Sequence, residues 1–185
     1  MTPPSIPPLA PPEFSRPFDV RQADRKRAVL EPTKAERAAL ATRFGIVRID
    51  KLVADIELTL QQRAGAAQVE AHGTLKAEIV QSCAVSAEDL PVSIDEPLFF
   101  RFIPERAMVH APDEEIELDA DACDEIEYAG AHIDLGEAVA QSLALAIDPF
   151  LTGPDADAAR IAAGIGAPDE HGPFAALKSL KLGKD

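Results

Sequence analysis

Two segments in which apolar and polar residues alternate constrain the fold more than any other feature of this chain. Residues 52–60 and 69–79 each place apolar side chains at every second position. This two-residue repeat is typical of β-strands with one buried face. A polar connection that contains Gly65 separates the segments, so the second strand can return antiparallel to the first. The sequence therefore predicts a long β-hairpin.

A third strand is predicted over residues 91–103, as an extension of the same sheet. Phe100 and Phe102 lie two positions apart and therefore share one face. We expect Pro97 to break this strand, because proline cannot donate a hydrogen bond to a neighbouring strand. Residues 105–127 contain ten acidic side chains and one basic side chain. A loop with at most an edge strand is the expectation there.

A first helix is predicted over residues 34–44. Thr33 and Glu36 have the spacing of a capping box, in which each side chain satisfies a free amide group of the first turn. Gly45 follows the last apolar position and can adopt the left-handed conformation that ends a helix.

A second helix is predicted to begin at Asp134, where Asp134 and Glu137 repeat the capping-box spacing, and to end before Pro149. Together these elements indicate the α+β class. We expect an antiparallel β-sheet, open or curled into a partial barrel, packed against two or more helices.

The chain has 185 residues, of which 46% are hydrophobic, and this favours about one domain. Residues 1–17 hold seven of the 16 prolines and are predicted to be a disordered lead. Residues 18–150 are predicted to form a single α+β domain. Residues 151–172 are predicted to be a flexible linker, and residues 173–185 a C-terminal amphipathic peptide.

Charge is distributed unevenly along the chain, whose net charge is -14. Residues 16–51 contain ten basic and five acidic side chains, whereas residues 52–160 contain five basic and 23 acidic side chains. The net acidity disfavours non-specific binding of nucleic acid by the whole surface. A basic arm on an acidic body can still contact an anionic partner, although solvated helix and loop faces would give the same pattern.

The sequence predicts no catalytic residue, no metal site and no cofactor. Its four histidines are widely spaced, and Cys83 and Cys123 lie forty residues apart, which matches no common zinc pattern. Both cysteines are expected to be reduced and structural. A membrane-spanning run and a secretory signal are absent from the sequence pattern, so the expected location is cytoplasmic.

Five sequence landmarks occur in order along the chain. They are Glu-Phe-Ser-Arg-Pro at 13–17, Glu-Arg-Ala-Ala-Leu-Ala-x-Arg-Phe-Gly at 36–45, Gly-x-Leu-x-Ala-x-Ile-Val-Gln-Ser-Cys at 73–83, Asp-Leu-Gly-Glu-Ala-Val at 134–139 and Pro-Phe-Ala-x-Leu-x-x-Leu-Lys at 173–181. Together they resemble the YceD family of large ribosomal RNA accumulation proteins. The Leu-Gly-Glu form is similar to that of its alphaproteobacterial branch.

The resemblance implies a non-enzymatic bacterial factor that supports accumulation of 23S rRNA and assembly of the large ribosomal subunit. The charge pattern then leaves two partners open, precursor rRNA of the large subunit at the basic arm and a basic ribosomal protein at the acidic loop, and no contact with DNA or a membrane is expected. Many members carry a second cysteine three positions after the first. This chain has Ser86 there, so the resemblance carries over no metal site.

Candidate contact residues follow from charge and from the resemblance. For RNA or a partner they are Arg16, Arg37, Arg43, Phe174, Leu177 and Lys181. For docking of a basic protein they are Asp113, Glu114, Glu115 and Glu117. A different class of function remains open, namely a small-ligand or enzymatic domain with a pocket between the sheet and the helix that begins at Asp134.

Overall fold

The computed structural model describes residues 11–63, 66–105 and 125–165. In chain order its elements are β1 (Pro17–Asp19), a 3-10 turn (Val20–Gln22), β2 (Lys26–Leu30), α1 (Lys34–Phe44), β3 (Arg48–Arg63), β4 (Ala66–Ser82), β5 (Asp89–Pro104), β6 (Glu125–Tyr128), β7 (His132–Asp134), α2 (Leu135–Ala146) and α3 (Ala156–Ala162). The main sheet has the order β2-β3-β4-β5-β6. Its strands are antiparallel except for the parallel pair β5 and β6. The predicted α+β class is confirmed, and within the described residues the sheet does not close into a barrel.

The predicted hairpin is confirmed as β3 and β4, which pair from Arg48 opposite Val80 to Arg63 opposite Ala66. The apolar positions of the alternating pattern form the core face; Leu52, Ala54, Ile56, Leu58, Val69, Ala71, Leu75, Ala77 and Ile79 are all buried. Gly73 lies on this face where the two backbones approach closely. A Cβ atom at Gly73 would lie 2.1 Å from the backbone oxygen of Asp55, so this position requires glycine.

The prediction that Pro97 breaks the third strand is wrong, because β5 continues through it. Pro97 pairs with Thr74 of β4, and β6 joins the opposite side of β5 only over Arg101–Pro104. At Pro97, β5 therefore pairs with β4 on one side. On its other side no strand of the described residues pairs with it. Proline is tolerated at such an edge because no ladder hydrogen bond is demanded from its nitrogen on that side.

Both predicted helices are confirmed. In α1 the capping box between Thr33 and Glu36 is present, and Gly45 ends the helix with φ of 67°. In α2 the side chain of Asp134 accepts hydrogen bonds from the backbone N–H groups of Gly136 and Glu137. The Glu137 side chain does not complete a capping box but pairs with a cation of α1, as described below.

The domain boundaries stay a prediction, but two observations bear on their placement. Phe14 is completely buried and β1 begins at Pro17, so residues 13–17 pack on the domain. The sequence pattern places these residues in the disordered lead. Their proline content disfavours regular structure, yet it does not prevent side chains from packing. Helix α3 lies within the segment predicted to be a flexible linker.

Candidate nucleic-acid interface

The sheet order places a basic strand and an acidic strand at opposite edges of the main sheet. The basic part, residues 16–51, includes the edge strand β2, followed by α1 and the start of β3. At the other edge, β6 carries Glu125 and Glu127. Four inter-strand spacings separate the two edge strands, which is about 19 Å along the sheet. An anionic partner can therefore approach the β2 edge without passing over β6.

A tight turn brings the start of β3 alongside α1. Gly45 adopts the left-handed conformation, and the N–H of Ile46 donates to the carbonyl oxygen of Ala41 at 3.0 Å. The N–H of Val47 then donates to the carbonyl oxygen of Val80 in β4 at 2.9 Å. The first residues of β3 are thereby held beside the exposed face of the helix.

Between α1 and the start of β3 lies an open groove of about 430 Å³ whose polar lining is mostly basic. Lys34, Arg37 and Arg48 line it, with Asp50 as the carboxylate among the lining residues. Arg48 pairs with Asp50 at 3.0 Å, whereas Arg37 donates to the carbonyl oxygen of Pro32 at 2.9 Å. Within the described part of the chain, Lys34 and Arg37 have no carboxylate partner. Their charges remain available to phosphate groups.

Arg16, a predicted contact residue, is held by its own domain. Its guanidinium donates to both carboxylate oxygens of Glu36, at 2.7 and 2.9 Å, and lies 4.5 Å from the ring centroid of Phe14. Hydrogen bonding from Arg16, and then from the backbone N–H of Thr33, lowers the pKa of Glu36 to about 2. This pair ties residues 13–17 to the capping box of α1.

Arg43, a second predicted contact residue, is likewise occupied. It donates to both carboxylate oxygens of Glu137 in α2, at 2.9 and 2.8 Å, and to Glu13 at 3.0 Å. Hydrogen bonding to Glu137 raises the pKa of Arg43 and lowers the pKa of Glu137. The sequence suggested a cation open to a partner, whereas the structure places it between two carboxylates.

Asp134 completes this junction. Its carboxylate accepts hydrogen bonds from the Ser15 hydroxyl at 2.5 Å and from the backbone N–H of Arg16 at 2.8 Å, in addition to capping α2. We call residues 13–17 with Glu36, Arg43, Asp134 and Glu137 the N-terminal clamp. Three of the five sequence landmarks, at 13–17, 36–45 and 134–139, thus meet in one structural unit.

The outer face of the sheet, opposite the core, carries a row of four side chains from adjacent strands. The strand register places Arg27, Glu57, His72 and Phe99 side by side on β2, β3, β4 and β5. The ring centroids of His72 and Phe99 lie 4.7 Å apart, and Phe99 is 39% exposed. Sequence reasoning overlooked Phe99, although Leu98, Phe100 and Phe102 alternate with it and point inward.

The Cys83 thiol lies in a tight turn and is buried. Its Sγ accepts hydrogen bonds from the backbone N–H groups of Val85, Ser86 and Gly153, at 3.5, 3.3 and 3.3 Å. Hydrogen bonding from the Ser86 side chain, and then from these N–H groups, lowers the pKa of Cys83 to about 7. The thiol thus joins the turn after β4 to the segment before α3. Among the described residues, no group of three potential metal ligands is close enough to hold an ion.

Two sets of predicted contacts lie outside the described residues. These are the apolar and basic positions of the C-terminal peptide, Phe174, Leu177 and Lys181, and the acidic docking residues, Asp113, Glu114, Glu115 and Glu117. They stay predictions. The packing of α2 argues against the alternative pocket between the sheet and this helix. Its side chains Leu135, Val139 and Leu143 are at most 1% exposed and fill that space.

Comparison with known proteins identifies the family. No helix in the described part of the structure is long and apolar enough to cross a membrane. No curated protein and no solved structure matches the chain. The family model described as large ribosomal RNA subunit accumulation protein YceD matches residues 71–181, which is more than half of the chain. The resemblance expected from the five landmarks is thereby confirmed, and the chain belongs to the YceD family.

Proposed function

We propose that this protein supports the accumulation of large-subunit rRNA as a non-enzymatic assembly factor that binds precursor rRNA at its basic edge. The family description names accumulation of the large ribosomal RNA subunit. The observation that carries the proposed contact is the separation of charge by the sheet order, with Arg25, Lys26 and Arg27 at the β2 edge and Glu125 and Glu127 at the β6 edge. This arrangement lets a net acidic protein present cations to RNA while orienting its acidic side away from it.

The proposed contact residues are the cations of this edge that have no carboxylate partner among the described residues. Lys34 and Arg37 line the groove beside α1, and Arg25 and Lys26 are exposed at the start of β2. Phosphate contacts by such side chains supply affinity that depends on salt concentration but not on sequence. Arg16 and Arg43 are assigned to the N-terminal clamp instead, because their guanidinium groups are already bound to carboxylates.

A basic ribosomal protein is a second candidate partner, because residues 105–127 contain ten acidic side chains and one basic side chain. The acidic segment that contains Asp113, Glu114, Glu115 and Glu117 lies between β5 and β6 in the chain. A basic protein would be attracted to these carboxylates, whereas RNA would be attracted to the cations of the basic edge.

Fluorescence anisotropy with a labelled fragment of precursor 23S rRNA tests the RNA contact. We expect Arg37→Glu to weaken binding and the double change of Lys34 and Arg37 to Glu to weaken it further. The slope of log affinity against log salt should fall by about one for each phosphate group that the variant no longer binds. The matched control is Arg160→Glu, which reverses an exposed cation paired with Asp157 within α3. Equal affinity and equal slope for Arg37→Glu and Arg160→Glu would exclude the contact at this edge.

A cellular measurement tests the assembly role separately. Cells depleted of the protein should show a lower ratio of 23S to 16S rRNA and fewer mature large subunits on sedimentation. Wild-type protein and the Arg160→Glu control should restore both, whereas the Lys34 and Arg37 double variant should not. A normal ratio in depleted cells would contradict the proposed function. Neutralising the four acidic docking residues, followed by pull-down of ribosomal proteins, tests the second partner.

A further inference from the structure

We propose that the outer face of the sheet at Phe99 and His72 is a stacking platform for an unpaired base of the RNA strand held at the basic edge. This inference rests on the proposed function and names the form of RNA that would be bound. Single-stranded RNA is recognised by stacking its exposed bases on aromatic side chains, next to cations that follow the backbone. The outer face combines these two features.

Phe99 and His72 form the platform. They lie opposite each other on β5 and β4, with ring centroids 4.7 Å apart and planes tilted by 45°. The Arg101 guanidinium lies 5.8 Å from the Phe99 centroid. Phe99 remains 39% exposed, so part of its ring can accept a further planar group. Among the large hydrophobic side chains of the described strands, Phe99 is the exposed aromatic one.

Two open depressions lie between the platform and the basic edge. An open depression of about 400 Å³ is lined by Arg27, Asp55, Glu57, His72 and Thr74, among others. Its volume lies within the range of about 300–1,000 Å³ that is typical of small-ligand sites. A second depression, of about 260 Å³, shares Arg27 and Glu57 with it and adds Arg25 and Lys26. The two together lead from His72 to the basic edge.

The distance also suits a strand that bridges the two features. Arg27 and Phe99 are three strand spacings apart in the same row, which is about 14 Å. A short run of unpaired nucleotides can therefore place one base on Phe99 while its neighbouring phosphates lie at Arg25 and Lys26.

The charges on this face indicate how the platform would contribute to RNA binding. Arg27 pairs with Asp55, and Arg101 lies 3.9 Å from Glu70 and 3.8 Å from Glu125. Because carboxylates accompany these cations, the platform adds little attraction for phosphate. Its contribution is stacking, which depends weakly on salt, whereas the contribution of the basic edge depends strongly on salt. The two sites can therefore be distinguished by their salt dependence.

The chain has no tryptophan, so Phe99→Trp introduces a single tryptophan whose emission reports on the platform. The probe is a 12-nucleotide single-stranded oligoadenylate. We expect saturable quenching of the Phe99→Trp emission on addition of the probe. The matched control is Phe150→Trp, because Phe150 is 81% exposed on the loop before α3, away from the sheet face. Its emission should not change.

Affinity provides the second measurement. Phe99→Ala should weaken binding of the oligoadenylate by about fivefold or more, with an unchanged salt slope, and Phe150→Ala should bind as the wild type does. Phe99→Leu, which keeps apolar volume but removes the ring, should behave like Phe99→Ala. Wild-type affinity in both Phe99 variants together with unquenched Phe99→Trp would overturn the platform. The proposed function would then still stand if the Lys34 and Arg37 variants failed to bind the rRNA fragment.

Discussion

Arg43 of α1 donates two hydrogen bonds to Glu137 of α2, at 2.9 and 2.8 Å, although the two residues lie 94 positions apart. Both side chains are about a third exposed or less. The pair therefore links the two helices on one side of the N-terminal clamp. It gives Arg43 a structural role that competes with any contact to RNA.

The first prediction is that Arg43 and Glu137 are energetically coupled. A double-mutant cycle with Arg43→Ala and Glu137→Ala, measured by urea unfolding, should give a coupling free energy of about 0.5–1 kcal/mol, because two-point arginine pairs exceed ordinary surface pairs. The control cycle is Asp19 with Arg21, whose arginine is 79% exposed, and it should give almost none. If Arg43→Ala instead kept full stability and bound RNA more weakly, Arg43 would be a contact residue.

The second prediction concerns acid stability. The pKa of Glu36 is lowered from 4.5 to about 2 in the folded chain, so its carboxylate stabilises the fold above pH 4.5. This contribution should be lost as the pH falls from 4.5 toward 2. We expect Glu36→Gln to be less stable by about 1–2 kcal/mol at pH 7, because it loses a two-point ion pair and half of a capping box.

Urea unfolding of both proteins between pH 7 and pH 2.5 checks this. The difference between wild type and Glu36→Gln should narrow below pH 4.5. Glu96→Gln serves as control, because Glu96 is exposed and has no ion pair among the described residues. A difference that stays constant down to pH 2.5 would show that the Glu36 charge contributes nothing.

The elements that the sequence predicted best depend on nearby residues. Thr33, Glu36 and Gly45 lie within or beside α1, so its bounds follow from local capping rules. The hairpin follows from alternation, because a single buried face requires apolar side chains at every second position. The basic and acidic residues could be counted in the sequence, but the placement of β2 and β6 at opposite edges depends on strand order, which local patterns do not specify.

Contacts between distant parts of the chain cannot be derived from local patterns. The prolines of residues 1–17 predict a disordered lead. Ser15 and Arg16 nevertheless donate hydrogen bonds to Asp134, which lies more than 100 positions away. The sequence leaves Arg43 available to a partner, because spacing alone cannot place Glu137 beside it. Phe99 was within reach of sequence reasoning, because the alternation that directs Phe100 and Phe102 inward directs Phe99 outward.

The third prediction is that Cys83 stabilises the fold increasingly as the pH rises. Its pKa is lowered from 9.0 to about 7 in the folded chain, so the thiolate contribution is complete above pH 9 and is lost as the pH falls through 7. In a Cys123→Ser background under reducing conditions, the loss of stability caused by Cys83→Ala should grow between pH 6 and pH 9. Urea unfolding at four pH values measures it. A loss that is independent of pH would mean that Cys83 stays protonated and contributes by packing alone.

The last prediction concerns Gly136, which lies in the first turn of α2 beneath residues 13–17. A Cβ atom there would lie 2.3 Å from the backbone oxygen of Phe14 and 2.9 Å from the backbone nitrogen of Arg16. Glycine to alanine within a helix normally stabilises by up to about 1 kcal/mol. Gly136→Ala should instead destabilise by about 1–3 kcal/mol, because the backbone of the clamp must move. Thermal unfolding measures the change, and Ala144→Gly on the exposed face of α2 calibrates the effect of helix propensity alone. A more stable Gly136→Ala protein would show that residues 13–17 do not pack against α2.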